Sequence, residues 1–341
     1  MENWIMSKNS DESNLVLSSR IRLARNIDKV PFPIRIDEEK GKELIKDVEN
    51  VFYISPEIKE DYITNYLWNL DEVTDNSFLE KHLISPRLIN NYKKSAFILN
   101  KDQTVSIMLN EEDHIRLQCI TAGLNLEEAF KDANKLDDII EDKLNYAFDE
   151  NLGYLTACPT NLGTGLRASV MIHLPVLSMS KEITQLYNAV TQIGMTIRGL
   201  YGEGSNADGN VYQISNQISL GVTEEEIINN INAVVNQIIN QENIAREHLL
   251  KNRKYELEDK IFRSLGILKS AVLMNSKECL SLLSNVRMGI EMGIINDISS
   301  QTINELFVSL QPATLQLLVN KKLNDKERDL ERAKLIREKL K

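Results

Sequence analysis

The chain has 341 residues and is acidic, with 50 Asp and Glu against 40 Lys and Arg and a formal net charge of −10. Because one hydrophobic core seldom serves a chain of this length, we expect two domains. The acidic balance argues against general nucleic-acid binding, which needs a basic face. No apolar run approaches the roughly 20 residues of a membrane span. The three cysteines lack the spacing of a disulfide framework or a zinc site, so we expect reduced thiols and a cytoplasmic location.

Short β-prone or alternating runs in the first two thirds of the chain predict a sheet. In the run 211–220, alternate side chains share one face, as in a half-buried antiparallel strand. Apolar stripes at helical spacing predict helices over 126–148 and 181–193. The predicted strands cover 16–23, 96–99, 104–109, 154–157 and 211–220.

A longer helix is predicted to begin at Thr223, which forms a capping-box pattern with Glu226. From about residue 247 onward, glycine and strand signals nearly vanish and apolar residues repeat at helical spacing. The sequence therefore predicts an α+β fold, with a mainly antiparallel sheet flanked by helices over 1–246, followed by an all-helical C-terminal domain over 247–341. Short turns in the helical part are expected at Gly266, Gly289 and Pro312.

The stretch 158–169 sets a lone cysteine, a glycine-rich turn and an arginine beside one another. Gly163 and Gly165 permit positive φ and close backbone approach, so exposed N–H groups can face an anion, and Arg167 adds a planar cation with five donors. A Gly-x-Gly turn alone is usually only a turn. Four other segments, however, also place charged side chains beside a strand-like run or a turn. Arginines that are far apart in sequence can converge on a polyphosphate in the folded chain. These segments are 18–22, 80–82, 110–116 and 198–204.

No Walker lysine loop and no signature of ordinary protein kinases occurs in the sequence. Instead, the five segments, in this order, resemble the phosphagen (guanidino) kinase family over about 15–221. The stretches 80–86 and 198–204 and the C-terminal half resemble its bacterial, protein-modifying branch. The resemblance implies a glutamine-synthetase-like catalytic fold, ATP and Mg²⁺ as cofactors, and transfer of the γ-phosphoryl group to arginine side chains of proteins. The N-terminal helical domain of the small-molecule kinases has no room before Arg20, so we expect an open acceptor site.

Phosphoryl transfer depends mainly on positioning and charge neutralisation, because the transition state spreads charge over equatorial oxygens. A single arginine is more often a surface or ion-pair residue, so the prediction rests on five occurring together. The resemblance implies that these arginines bind the ATP phosphates, that His82 lines the nucleotide site and that backbone N–H groups around 167–171 contribute. The implied ATP-binding residues are Ser18, Ser19, Arg20, Ile21, Arg22, His82, Arg116, Arg167, Ala168, Ser169, Val170, Met171, Arg198, Gly199, Leu200, Tyr201 and Gly202.

An acceptor guanidinium is hard to activate, because it holds its proton to above about pH 12 and its lone pairs are delocalised. Two carboxylates can grip it from two sides, and one can receive the departing proton. The resemblance implies Glu112 and Glu203 as these catalytic glutamates. Glu112 is assigned over Glu111 because the family places its glutamate four residues before the arginine that matches Arg116. On pattern alone, the run 111–113 reads as a solvated acidic loop.

Cys158 has two interpretations. A free cysteine is more often a small buried hydrophobe, whereas nearby arginines would favour its thiolate. The matching cysteine of the family lines the guanidino site, which implies a catalytic role in which Cys158 orients the substrate without forming a covalent intermediate. No metal-binding side chains are predicted.

The stretch 328–333 matches an R-D-x-x-R-A motif. A helix puts Arg328 and Arg332 on one face, where two guanidinium groups repel when empty but can share a phosphoryl dianion. The pattern alone favours a solvated terminal helix of mixed charge. The resemblance implies instead an allosteric phosphoarginine-binding site and a homodimer. The implied site consists of Arg328, Asp329, Arg332 and Ala333.

The resemblance also implies protein partners: substrates with exposed arginine, an activating zinc-binding adaptor (McsA), a heat-shock repressor (CtsR) and the ClpC–ClpP protease, which recognises phosphoarginine as a degradation mark. Neither direct nucleic-acid binding nor a membrane is expected. Two alternatives stay open. One is a kinase of free arginine or another small guanidino compound, and the other is a non-catalytic adaptor that binds phosphoarginine-marked proteins.

Overall fold

The computed structural model describes residues 15–199 and 207–341. Within these residues, eight strands form one antiparallel sheet and two short strands, β6 and β7, form a separate pair. In chain order the strands are β1 (Val16–Arg25), β2 (Tyr62–Tyr66), β3 (Ala96–Asn100), β4 (Val105–Leu109), β5 (Ile115–Ala122), β6 (Phe148–Asp149), β7 (Gly153–Tyr154), β8 (Leu166–His173), β9 (Met195–Gly199) and β10 (Val211–Asn216). Their order across the large sheet is β2-β3-β4-β5-β1-β8-β10-β9.

Strand β1 lies inside the sheet, between β5 and β8. Successive side chains of a strand point to opposite faces, so Arg20 and Arg22 lie on one face while Ile21 and Leu23 lie on the other. Ile21 and Leu23 are buried in a core that also contains apolar side chains of β5, β8 and β10. The centre of the sheet therefore has one polar face and one apolar, core-forming face.

The remaining elements are helices, and none of the described helices is long and apolar enough to cross a membrane. The sheet with flanking helices confirms the predicted α+β fold, and the part from 254 to 341 contains helices without strands, as predicted. In chain order the helices are α1 (Glu38–Phe52), α2 (Pro56–Asp61), α3 (Glu72–Glu80), α4 (Pro86–Asn90), α5 (Leu126–Glu141), α6 (Pro175–Met179), α7 (Ile183–Gln192), α8 (Glu224–Asn252), α9 (Lys254–Ser270), α10 (Ser276–Glu291), α11 (Ser300–Ser309), α12 (Pro312–Leu318) and α13 (Asp325–Lys339).

Helices α1, α5 and α8 supply apolar side chains to the core on the apolar face of the sheet. The start of α8 has the predicted capping box: Thr223 Oγ1 accepts from Glu226 N at 3.2 Å, and Glu226 Oε2 accepts from Thr223 N at 2.8 Å. These two bonds satisfy backbone N–H groups that the first turn of a helix leaves open. The predicted helix start is therefore confirmed.

Two predicted elements end earlier than expected, because hydrogen bonds divert the chain. Helix α5 ends at Glu141 rather than 148; beyond it, Ala147 N donates to Asn26 O at 2.7 Å and the backbone follows the end of β1. Strand β10 ends at Asn216 rather than 220, where the Asn216 side chain donates to Ile218 O at 3.0 Å. Both endings depend on contacts that the local apolar pattern does not contain.

Two predicted turns were wrong. Gly266 lies inside α9 and Gly289 lies inside α10, whereas the turn expected at Pro312 lies at residues 310–311, directly before Pro312 begins α12. At Gly289 an added Cβ would lie 2.6 Å from Ile261 Cγ2, so this glycine permits close packing of α10 on α9. Gly266 is exposed, and a Cβ there would meet nothing within 4 Å.

Helix α8 runs without a break across the domain boundary predicted after residue 246. Glu242 accepts hydrogen bonds from two backbone N–H groups of α6, at 3.1 and 3.0 Å. One turn later, Arg246 donates to Glu242 at 2.9 Å and to Glu291 of α10 at 2.8 Å. Buried charges thus join the sheet side of α8 to the C-terminal helices, and the division into two domains stays a prediction.

Candidate active site

Four of the arginines predicted to bind phosphate lie on neighbouring strands of the polar face. Arg22 of β1 lies directly opposite Arg167 of β8, and Arg20 lies opposite Ser169. Arg116 lies on β5, the strand on the other side of β1. Because directly opposed residues of neighbouring strands share a face, the sheet brings these side chains into one region. We call Arg20, Arg22, Arg116 and Arg167 the arginine cluster.

The side chains of the arginine cluster repel one another. Burial, followed by the charges of Arg116 and Arg167, lowers the pKa of Arg20 from 12.5 to about 9. Burial and the same neighbours also hold the pKa of Arg22 well below its usual value. Arg22 Nε is buried and has no hydrogen-bond partner among the described residues. A bound polyphosphate would relieve both the repulsion and the missing bond, so this donor set fits the phosphates of ATP.

Gln213 joins the arginine cluster to the edge of the sheet, although the sequence reasoning missed it. Its Oε1 accepts from Arg20 Nη2 at 2.7 Å. Gln213 lies on β10 directly opposite Arg198 of the edge strand β9, so the fifth predicted arginine belongs to the same face. The place of Gln213 in an alternating strand was readable from the sequence, but the residues next to Gln213 on neighbouring strands depend on the strand order.

Several residues with implied roles in ATP binding point their side chains away from the arginine cluster. They alternate with the arginines along β1 and β8, so they enter the apolar face, where the Ser19 hydroxyl donates to Gly123 O at 2.8 Å. Strand β8 also pairs on both sides, and Ala168 N donates to Asn216 Oδ1 at 2.9 Å, so backbone N–H groups over 168–171 are engaged within the sheet rather than open to an anion. The side chains of Ser19, Ile21, Ala168 and Val170 therefore face away from the arginine cluster, and their roles in ATP binding stay predictions.

The glycines of the turn before β8 have the predicted positive φ. Gly163 has φ 106° and Gly165 has φ 64°. An added Cβ would lie 2.3 Å from Ser219 O at Gly163 and 2.6 Å from Ala24 O at Gly165. Both glycines thus let this turn pack directly on neighbouring backbone, which fixes the start of the strand that carries Arg167.

His82 lies beside the arginine cluster. Its backbone is left-handed, with φ 61°, and its carbonyl accepts from Gln118 Nε2 at 2.8 Å. Burial and the charges of Arg20 and Arg22 lower the pKa of His82 from 6.5 to about 3. The imidazole is therefore neutral near pH 7 and adds no further positive charge. Ser18, Ser169 and Gln213 line the same small pocket beside Arg20.

The two adjacent glutamates of the β4–β5 loop have different roles. Glu111 is buried, and its carboxylate accepts from Arg116 Nη1 at 2.8 Å, from Ser85 Oγ at 2.5 Å and from Glu112 N at 2.8 Å. Burial acts to raise the pKa of Glu111, but Arg116 and these bonds lower it overall. Glu111 therefore holds the loop and Arg116 in place. The Glu112 side chain is 23% exposed and forms an ion pair with Arg87, which leaves it within reach of an external cation.

Asp113 completes this loop and places Cys158 near it. Its Oδ1 accepts from Asn26 Nδ2 at 2.7 Å and from Ala157 N at 2.6 Å. The second bond holds the chain next to Cys158. The strand predicted at 154–157 was wrong in its bounds, because β7 covers only Gly153–Tyr154. Cys158 is partly buried, with its Sγ 3.0 Å from Thr160 Oγ1. Sequence reasoning missed Asp113, although it directly follows the predicted glutamate.

The predicted phosphoarginine-binding residues lie on α13, which confirms the predicted helix. Arg332 is buried and donates to Leu310 O at 2.9 Å, to Met274 O at 2.8 Å and to Asp329 Oδ1 at 2.7 Å. Arg328 donates to Leu323 O at 3.0 Å and pairs with Asp325, and Ala333 is fully buried. Both arginines are therefore engaged locally, and phosphoarginine binding stays a prediction.

Some predicted site residues lie outside the described residues. These are Leu200, Tyr201, Gly202 and Glu203. Gly199 ends β9 just before them. Within the described part of the chain, no group of three or more His, Cys, Asp or Glu side chains could hold a metal ion.

An antiparallel sheet whose polar face gathers arginines beside a carboxylate loop is the architecture of a guanidino phosphotransferase. Residues 43–245 match the family model for the ATP:guanido phosphotransferase C-terminal catalytic domain, so the chain belongs to that family. Residues 254–341 match the model for the protein-arginine kinase McsB C-terminal domain.

Close relatives extend over the whole chain. The chain is 59% identical over 340 residues to a protein-arginine kinase of Clostridium kluyveri, covering 100% of this chain and 99% of the relative. It is 57% identical over 340 residues to a protein-arginine kinase of Clostridium acetobutylicum, covering 100% of both chains. The crystal structure of a lombricine kinase is 26% identical and superposes with a TM-score of 0.59 over 71% of each chain.

A duplicated taurocyamine kinase from Schistosoma mansoni shares the fold. Its structure with bound transition-state-analogue components superposes with a TM-score of 0.62 at 23% identity, covering 82% of this chain and 41% of that one.

Proposed function

We propose that this chain is an ATP-dependent protein-arginine kinase, which transfers the γ-phosphoryl group of ATP to arginine side chains of proteins. The observation that carries the proposal is the convergence of the arginine cluster beside the Glu112 loop. The names of its full-length relatives support the choice of a protein acceptor. Every residue of the cluster is fixed by a strand, so the positive charge is positioned before the nucleotide binds.

The arginine cluster would bind the phosphates of ATP and stabilise the charge that develops on the transferred group. Mg²⁺ would supply further charge on the β- and γ-phosphates. Mg²⁺ commonly keeps several waters and binds through substrate phosphates, so the metal would be held largely by the phosphates of ATP. Neutral His82 and Gln213 would line the nucleotide site without adding charge.

The acceptor arginine would bind to the carboxylate of Glu112, with Glu203 as the second carboxylate. A fork-shaped guanidinium pairs directionally with a carboxylate, so this contact would orient the attacking nitrogen. The same pair would receive the proton that leaves this nitrogen as the N–P bond forms and the bond to ADP breaks. Cys158 would orient the substrate from the segment that Asp113 holds through Ala157 N.

We further propose that phosphorylation marks proteins for the ClpC–ClpP protease and acts on the repressor CtsR, with McsA as activator. The match of 254–341 to the McsB C-terminal model supports a regulatory helical region. Binding of phosphoarginine by Arg328 and Arg332, a homodimer and a cytoplasmic location belong to the same proposal. Arg328 is the more accessible of the two arginines, because its side chain is 25% exposed.

The choice of acceptor is tested by incubating the protein with labelled ATP and either casein or free arginine. We expect label in casein as acid-sensitive phosphoarginine and little in free arginine. Label in free arginine with none in protein would show instead a kinase of a small guanidino compound. Label in neither, with wild-type binding of phosphoarginine-marked proteins by Glu112→Gln, would favour the adaptor.

A further inference from the structure

Arg87 places a guanidinium on the carboxylate that the proposed reaction needs for its substrate. Arg87 Nη1 pairs with Glu112 Oε1, while the Arg87 side chain is 55% exposed and that of Glu112 is 23% exposed. The hydrogen bond and the charge of Glu112 raise the pKa of Arg87, and the charges of Glu111 and Cys158 also contribute. This guanidinium therefore lies among the groups assigned to an acceptor arginine.

The backbone that carries Arg87 is held firmly against the same loop. Ser85 caps α4 by accepting from Leu88 N at 3.1 Å, and its hydroxyl donates to Glu111 at 2.5 Å. At the other end of α4, Asn91 Nδ2 donates to Glu111 O at 3.0 Å. Leu88 is fully buried beneath the helix. The start of the Arg87 side chain is thus fixed relative to Glu112, whereas its exposed end can rotate into water.

We propose that Arg87 is an internal competitor that occupies the acceptor subsite on Glu112 and that a substrate arginine must displace. This inference rests on the proposed function, because it takes Glu112 as the acceptor carboxylate. The two guanidinium groups would need the same Glu112 oxygen, so binding of one excludes the other. Arg87 would therefore raise the concentration of acceptor needed for half-maximal rate.

The expected size of the effect follows from the exposure of the pair. Exposed ion pairs are weak, so removing Arg87 should lower the acceptor KM roughly two- to fivefold. The KM for ATP should not change, because Arg87 contacts the acceptor carboxylate rather than the arginine cluster. Lysine keeps the charge but loses the planar fork, so Arg87→Lys should give an intermediate acceptor KM.

The test compares Arg87→Gln and Arg87→Lys with wild type, using a synthetic peptide that contains one arginine. Arg263→Gln is the matched control, since Arg263 forms an exposed pair with Asp259 on α9, at 3.1 Å and with 70% and 64% exposure. We expect a lower acceptor KM in Arg87→Gln and no change in Arg263→Gln. An unchanged or higher acceptor KM in Arg87→Gln would overturn the inference.

Calorimetric binding of the same peptide without ATP separates this inference from the proposed function. The peptide should bind Arg87→Gln roughly two- to fivefold more tightly than wild type. If wild type phosphorylates no arginine, the proposed function fails, and the binding comparison still tests Arg87. If Arg87→Gln binds the peptide as tightly as wild type or more weakly, Arg87 does not compete for Glu112, whatever the kinase assay shows.

Discussion

At the scale of single residues, the arginine cluster concentrates positive charge in a chain whose net charge is −10. Burial and mutual repulsion lower the pKa values of Arg20 and Arg22, and at Arg22 the charge of Glu111 acts in the opposite direction. Such an arrangement destabilises the empty protein and becomes favourable when an anion binds. The arginine cluster therefore lowers the stability of the empty protein and raises its affinity for an anion.

The variant Arg22→Met should separate stability from binding. Removing one cation relieves repulsion, so we expect the nucleotide-free thermal midpoint to rise by a few degrees, on the order of 1 kcal/mol. The upward shift of the midpoint on adding Mg-ATP should shrink, because a phosphate ligand is lost. Thermal unfolding with and without Mg-ATP measures both effects. Arg263→Met should change neither, and a lower midpoint with a full Mg-ATP shift in Arg22→Met would contradict the account.

His173 makes the stability of the fold sensitive to acid. It is fully buried at the end of β8, with Nε2 2.8 Å from Ser284 Oγ and Nδ1 3.5 Å from Glu291. Burial lowers its pKa from 6.5 to about 4, although Glu291 acts in the opposite direction. Between these two values the unfolded chain binds a proton that the native state does not, so stability falls as the pH falls.

We expect the free energy of unfolding to drop by about 1 kcal/mol for this group between pH 6.5 and 5.5. Urea unfolding at pH 7, 6 and 5 measures the slope. His173→Gln should reduce this slope by about that amount even if the variant is less stable at every pH, and the slope that remains comes from other buried histidines such as His82. His248→Gln, which changes an exposed histidine, should keep the wild-type slope. Identical slopes for His173→Gln and wild type would rule out His173 as the titrating group.

At the scale of secondary-structure elements, two glycines inside helices differ in what surrounds them. Gly289 of α10 lies against Ile261 of α9, whereas Gly266 of α9 faces open space. Alanine favours a helix over glycine by about 1 kcal/mol wherever there is room for a methyl group. The two positions therefore form a matched pair in which only the packing differs.

Gly266→Ala should raise the free energy of unfolding by about 0.5–1 kcal/mol. Gly289→Ala should lower it by about 1–3 kcal/mol, because the new methyl group would overpack the contact between α9 and α10. Chemical unfolding of both variants measures the difference. Stabilisation by both substitutions would show that α9 and α10 do not pack as closely as described here.

Periodic patterns predicted the elements whose stability comes from local sequence. The strand that carries Arg20, the apolar stripe of α5 and the capping box of α8 were all readable. Element ends were less predictable, because Asn216 stops β10 through its own side chain. Gly289 was misread as a turn because helix-to-helix packing leaves no mark on a single sequence, whereas nothing around Gly266 requires a glycine.

At the scale of the whole molecule, the prediction of the site required both the sequence motifs and the strand order of the sheet. The resemblance named the arginines, and the strand order shows why they meet: β5, β1 and β8 are neighbours. Alternation along the same strands excludes side-chain contacts by Ser19 and Ile21, which a motif alone cannot distinguish from their neighbours. The partners Arg87 and Gln213 come from segments distant in sequence, so no local pattern predicts their contacts.

Long-range polar contacts also connect the C-terminal helices to the nucleotide side of the sheet. Glu80 ends α3 and accepts from Ala313 N at 2.8 Å and from Thr314 N at 2.7 Å, at the start of α12. Two residues further on, His82 lines the pocket beside Arg20. On α13, Arg332 donates to Leu310 O just before α12. The predicted phosphoarginine motif and the nucleotide site therefore share α12 as a common neighbour.

In the proposed reaction, Glu112 presents an arginine side chain of a protein to a phosphoryl group held by the arginine cluster. Residue-resolved mass spectrometry of casein, kept near neutral pH after incubation with Mg-ATP, tests it most directly. We expect phosphoarginine with wild type and at least a roughly hundredfold loss of it with Glu112→Gln, while Glu39→Gln, which changes an exposed glutamate on α1, should retain it. Phosphate on serine, threonine or tyrosine instead, or undiminished phosphoarginine with Glu112→Gln, would contradict the claim.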